Sequence, residues 1–147
     1  MQITCTINSK PCHFECEPGQ RALDVLREIG MLSVKEGCGE GECGACSIFF
    51  NGKLINSCLL LAPQMQEAEI VTLEGLQKET ETVRENFAKE GAVQCGFCTP
   101  GFVMRAYDYI EQGGSKDEKL LKEALDGNIC RCTGYQKIVE AILKSMS

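Results

Sequence analysis

Histidine is almost missing from this sequence: His13 is the only one among 147 residues. A Rieske centre needs two histidines on one iron, so that class is excluded, as are most histidine-rich metal sites. No run of about 20 apolar residues occurs, so no membrane-spanning helix is expected. The opening "MQITCTINSK" lacks the basic-then-apolar layout of a secretory leader. A cytoplasmic chain is therefore expected, in which thiols stay reduced and clustered cysteines bind metal more often than they pair. Basic excess is missing too. Residues 1–75 carry five Lys/Arg against ten Asp/Glu, and residues 76–147 carry ten against eleven. Neither half offers the basic footprint of a nucleic-acid binder.

Cysteine, by contrast, is abundant, with 11 residues. An odd count fits a closed disulfide framework poorly. The chain around these cysteines changes character partway along. "QITCTIN" alternates, placing Ile3, Cys5 and Ile7 on one face, and "CHFEC" places Cys12, Phe14 and Cys16 opposite His13 and Glu15. "RALDVLREIG" carries Ala22, Val25, Leu26 and Ile29 on one helical stripe and stops at Gly30. "SIFF-NG-KLIN" reads as a hairpin with a type I′ turn at Asn51-Gly52, and "AEIVTL" as a last strand. Hairpin, helix, hairpin and strand predict an α+β unit over residues 1–75. Residues 76–147 read as four short helices forming a small bundle. Their predicted caps are Thr80, Thr99 with Pro100 behind it, Ser115 with Glu118, and Thr133 with Gln136. No Pro/Gly/Ser-rich tether separates the two units; residues 75–79 are the expected joint.

Two cysteine sets stand out. "CGEGECGACS" gives Cys38-x4-Cys43-x2-Cys46, with Cys58 following beyond the second hairpin. This is the spacing of plant-type [2Fe–2S] sites. Gly37, Gly39, Gly41 and Gly44 let the loop turn tightly and bring amide N–H groups to the sulfurs. Zinc needs fewer such turns. The second set pairs Cys95-x2-Cys98 with Cys130-x-Cys132. In each half of it a cysteine precedes a predicted Thr cap, so two helix starts would direct free N–H groups and positive dipole ends to one place. That suits an anionic two-iron centre, with zinc the lesser alternative, since four cysteines taken alone also satisfy its tetrahedral preference. Cys5, Cys12 and Cys16 read as small buried hydrophobes, and His13 as a solvated strand residue. Phe102, Tyr107, Tyr109 and Tyr135 read as packing residues of the bundle.

In this order, "GCGEGECGACS…C", "VQCGFCTPG" and "CRCTGY" closely resemble the small iron–sulfur subunit of molybdenum hydroxylases, the family of xanthine dehydrogenase, aldehyde oxidoreductase and carbon monoxide dehydrogenase. The resemblance spans nearly the whole chain and implies a stand-alone subunit. It implies a β-grasp, plant-type ferredoxin-like domain at residues 1–75, with Cys38, Cys43, Cys46 and Cys58 on one [2Fe–2S] cluster. It further implies a four-helix bundle at residues 76–147 holding a second [2Fe–2S] cluster on Cys95, Cys98, Cys130 and Cys132. By position, Gln94 and Cys132 would contact the pterin. The implied partners are a large molybdopterin-binding subunit and a medium FAD-binding subunit, assembled as a dimer of heterotrimers. The implied function is the relay of single electrons between molybdopterin and FAD, with substrate chemistry on the partner. A free-standing ferredoxin-type carrier and a zinc-stabilised interaction module are the competing readings.

Overall fold

The computed structural model describes residues 1–147. Its first half builds one five-stranded sheet in the order β2-β1-β5-β3-β4. Strand β1 (Gln2–Ile7) pairs antiparallel with β2 (Lys10–Glu15) through an Asn8-Ser9 turn, both residues having positive φ. The alternation predicts the outcome. Ile3, Cys5, Ile7 and Cys16 are buried, Cys12 and Phe14 half-buried, and His13 faces outward, where its Nδ1 meets Thr4 Oγ1 at 3.0 Å. Strands β3 (Ser47–Phe50) and β4 (Lys53–Asn56) form the second hairpin, and Asn51 and Gly52 supply the left-handed turn at φ 48° and 80°. The last strand, β5 (Glu69–Val71), is shorter than "AEIVTL" suggests but central, parallel to β1 and antiparallel to β3.

Helix α1 (Ala22–Glu28) covers one face of this sheet, burying Ala22, Leu23, Val25 and Leu26. It stops at Gly30, whose φ of 96° lets its N–H reach Arg27 C=O while Met31 N–H reaches Leu26 C=O. That is the paired closure a left-handed residue permits. Seventeen buried residues, among them Ile48, Met65 and Ile70, form this first core.

The second half consists of α2 (Glu81–Lys89), α3 (Thr99–Glu111), α4 (Glu118–Ala124) and α5 (Gln136–Lys144). Helix α2 packs on α3 and α5, and α4 on the same two, around Phe87, Phe102, Leu121, Ile138 and Ile142. Phe49, Leu54 and Val71 reach this second core from the other face of the sheet, and Phe49 meets Tyr107 edge-on at 5.8 Å. The apolar run "SIFF" thus serves both cores: Ile48 faces one and Phe49 the other. No helix is long and apolar enough to cross a membrane.

Three helix starts depart from the sequence reading. Helix α3 opens one residue early, because Cys98 C=O accepts the Phe102 N–H and makes Cys98 the cap. Helix α4 is capped by Asp117, whose Oδ1 accepts the Leu120 N–H at 3.0 Å, in place of the Ser115–Glu118 box. It also ends at Ala124, short of Gly127. Helix α5 opens at Gln136, so Thr133 lies ahead of the helix proper and its side chain is free for another task.

Candidate metal centre

Two nests of thiols are assembled by different means. The first is a loop closed on itself. Cys38 Sγ accepts the N–H groups of Glu40, Glu42 and Cys43 at 3.4, 3.2 and 3.4 Å, and Cys43 Sγ accepts that of Cys38 at 3.4 Å. These amides, that of Glu40 foremost, pull the Cys38 thiol down to about 7. The same donors would stabilise a metal-bound thiolate. Asn56 Nδ2 ties the loop back by donating to Gly41 C=O at 3.0 Å. Cys58 arrives on a single 3-10 turn after β4, and Ser57 Oγ donates to Cys46 C=O at 2.8 Å. Cys46 and Cys58 are both buried, and burial pushes the Cys58 thiol up to about 11, with its contact to Cys46 adding to the shift.

The second nest joins two distant segments. Cys95 and Cys98 lie on the approach to α3, and Cys130 and Cys132 on the approach to α5. All four line a cavity of about 190 Å³, together with Gly37, Cys43 and Ala45 of the first half. Cys98 is pushed up to about 12 by burial first and then by Cys130. Burial also raises Cys130, but the Thr133 hydroxyl and N–H, with the Cys132 N–H and the Cys98 thiol, together outweigh it and leave the thiol below its ordinary value. Those two groups donate to Cys130 Sγ at 3.0 and 3.3 Å. The Phe97 N–H lowers Cys95, reaching its sulfur at 3.5 Å, whereas contact with Cys95 raises Cys132. A larger cavity of about 360 Å³ between α4 and α5 contains no cysteine.

The direct thiol–thiol contacts join Cys38 with Cys43, Cys46 with Cys58, Cys95 with Cys132, and Cys98 with Cys130, and charge on Cys38 also acts on Cys58 and charge on Cys95 on Cys98. A tetrahedral zinc–thiolate site would bring its four sulfurs within about 3.8 Å of one another. A two-iron group divides four thiolates two per iron, and a nest made of two pairs fits that division.

The structure thus brings Cys38 to Cys43, Cys46 to Cys58, and Cys95, Cys98, Cys130 and Cys132 to one cavity, while Cys5 and Cys16 lie in the first core beside Cys46 and Cys58, with Cys12 packed against it. Gln94 is exposed in the segment ahead of Cys95. The helix-start argument holds for α3, which begins beside Cys98, and weakens for α5, which begins four residues after Cys132. Two contributors went unread in the sequence. Thr133 serves as a sulfur donor, and the Tyr135 hydroxyl accepts the Cys130 N–H at 3.1 Å. Their adjacency to "CRC" was the available signal.

Comparison with known proteins agrees. Residues 5–71 match the family described as 2Fe-2S iron-sulfur cluster binding domain, and residues 72–143 match the [2Fe-2S] binding domain family. The chain is 46% identical to the xanthine dehydrogenase iron-sulfur-binding subunit of Escherichia coli O157:H7, over 96% of this chain and 91% of that one. It is 43% identical to the nicotinate dehydrogenase small FeS subunit of Eubacterium barkeri, over 95% and 91%. Among solved structures it superposes on quinoline 2-oxidoreductase from Pseudomonas putida 86 with a TM-score of 0.88 at 39% identity, covering 97% of this chain and 90% of that one. With paired thiols in two nests and relatives matched from end to end, the chain belongs to the small iron–sulfur subunits of the molybdenum hydroxylase family.

Proposed function

We propose that this chain relays single electrons between the molybdopterin site of a large subunit and the FAD of a medium subunit, and that it makes and breaks no substrate bonds itself. Residues 1–75 would act as a β-grasp ferredoxin-like unit whose Cys38, Cys43, Cys46 and Cys58 hold one [2Fe–2S] group. Residues 76–147 would act as a four-helix bundle whose Cys95, Cys98, Cys130 and Cys132 hold the other. A bound [2Fe–2S] group supplies a site that takes up and gives up one electron at a time. The chain's own residues do the rest. The amides around Cys38 and the Thr133 hydroxyl donate to the sulfurs, while burial at Cys46, Cys58 and Cys130 keeps water off them.

The observation that carries this reading is the paired arrangement of both sets of four thiols. The surface supports the partner assignment. Val93, Phe97, Ile129 and Tyr135 are each at least 40% exposed; Phe97 and Ile129 line the second nest's cavity, Tyr135 holds the Cys130 N–H, and Val93 precedes Gln94. An apolar rim there suits docking against the pterin-bearing subunit, with Gln94 and Cys132 at the pterin edge. A free-standing carrier would have a polar surface at that place. The assembly would be a cytoplasmic dimer of heterotrimers.

Anaerobic purification from the native host, followed by size exclusion and iron analysis, tests the proposal. Co-elution with two larger subunits and about four iron atoms per small chain is expected. A colourless, iron-free monomer would refute it.

A further inference from the structure

The two nests touch through backbone. Ile129 N–H, one residue ahead of Cys130, donates to the carbonyl of Cys43 at 3.0 Å. Beside this bond, Gly101 of α3 lies against Gly44, which separates Cys43 from Ala45. A Cβ on Gly101 would overlap the Gly44 carbonyl oxygen and stand 3.3 Å from Ala45 Cα. A Cβ on Gly44 would stand 2.5 Å from the Gly127 carbonyl oxygen and overlap the amide of Asn128, which is itself only 5% exposed. The atoms opposing Gly101 are backbone and cannot rotate away. Positive φ does not explain Gly101, because it sits in ordinary helical conformation, where alanine is the better helix former. Close approach does explain it. Every group in this seam lies within three residues of a cysteine of one nest or the other.

We propose that Gly44 and Gly101 are positioning residues that set the separation between the two metal nests. The proposal rests on the reading of both nests as [2Fe–2S] sites. A methyl group at Gly101 cannot be absorbed by a side-chain rearrangement, so it must push the α3 start, and Cys98 with it, away from the Cys43–Cys46 loop. Magnetic coupling between two unpaired spins falls as the inverse cube of their separation, and electron tunnelling falls faster still. The seam therefore controls inter-centre communication without touching either iron.

The test is electron paramagnetic resonance of the dithionite-reduced native complex. The wild-type chain should show two signals, each split by the other. Gly101→Ala should retain both signals and the full iron content with a reduced splitting. Gly19→Ala, whose Cβ would meet nothing within 4 Å, should retain the wild-type splitting. A purely structural role for Gly101 would lower the melting temperature and leave the splitting alone, so an unchanged splitting with both signals present overturns the proposal. Should Gly101→Ala lose a centre, Asn128→Gln presses on Gly44 from the opposite side and is judged by the same comparison. A wild-type complex with one signal overturns the two-centre reading itself, which separates that failure from failure of the seam.

Discussion

The first nest is a single loop that receives one cysteine from the turn after β4, the second takes a pair from each of two distant segments, and the difference decides what can adjust each. Around Cys38 the donors other than its partner thiol Cys43 are backbone amides, positioned by a loop whose Gly39, Gly41 and Gly44 have positive φ. Side-chain substitution leaves those amides in place, so this nest's electrostatics are fixed by the path of the chain. Around Cys130 a side-chain hydroxyl takes part, and a tyrosine hydroxyl holds the cysteine's own N–H. The second nest can therefore be tuned one residue at a time, and it depends on a helical core to bring its halves together.

The largest effect that would break this comparison is loss of one nest with the other intact. Cys58→Ser should remove the first centre's paramagnetic signal and halve the iron from about four to about two atoms per chain. Cys98→Ser should remove or alter only the second signal. Loss of both signals in either variant would show that the nests are not independent sites. Next comes the core that assembles the second nest. Phe102 is fully buried and meets Tyr135 at 6.3 Å, so Phe102→Ala should destabilise the helical half by about 3–5 kcal/mol, read from urea unfolding.

Smaller changes sharpen the contrast. Thr133→Val removes a donor to Cys130 Sγ and should lower the second centre's midpoint potential by on the order of tens of millivolts, because the reduced, more negative state loses more. Thr133→Ser should restore it, and redox titration should show the first centre unmoved. The smallest effect lies on the first half's surface. Arg21 holds Asp24 below the ordinary carboxylate range through hydrogen bonds at 2.8 Å. A depressed carboxylate stabilises the fold above its unfolded pKa, and that stabilisation is lost as pH falls through the folded value. Asp24→Asn should thus cost under about 1 kcal/mol at pH 7, since both side chains are about a third exposed. The difference from wild type should begin to shrink only below about pH 4 and vanish once the pH has fallen through the lower folded value, read in thermal melts.

Much of this was legible in the sequence, for local reasons. Alternation places Ile3, Cys5 and Ile7 inward, Asn51-Gly52 makes its turn, and spacing groups Cys38, Cys43 and Cys46, because each rests on residues close along the chain; joining Cys95 and Cys98 to Cys130 and Cys132 rests instead on the likeness of the segments that follow each pair. Helix starts were legible only to within a few residues, since Ser115, Asp117 and Thr133 are all competent caps and tertiary context selects among them. Thr133 shows the limit. A hydroxyl capping a helix and one donating to a sulfur have the same sequence appearance. Gly44 and Gly101 show it further: the first reads as a loop glycine and the second as a residue behind Pro100, and nothing along the chain says that they meet.

The central claim is that eight thiols hold two separate two-iron groups. Spin quantification of the fully reduced, anaerobically purified chain tests it most directly. Two spectroscopically distinct signals, each integrating to about one spin per chain, are predicted. One signal at full iron occupancy, or none, would contradict it.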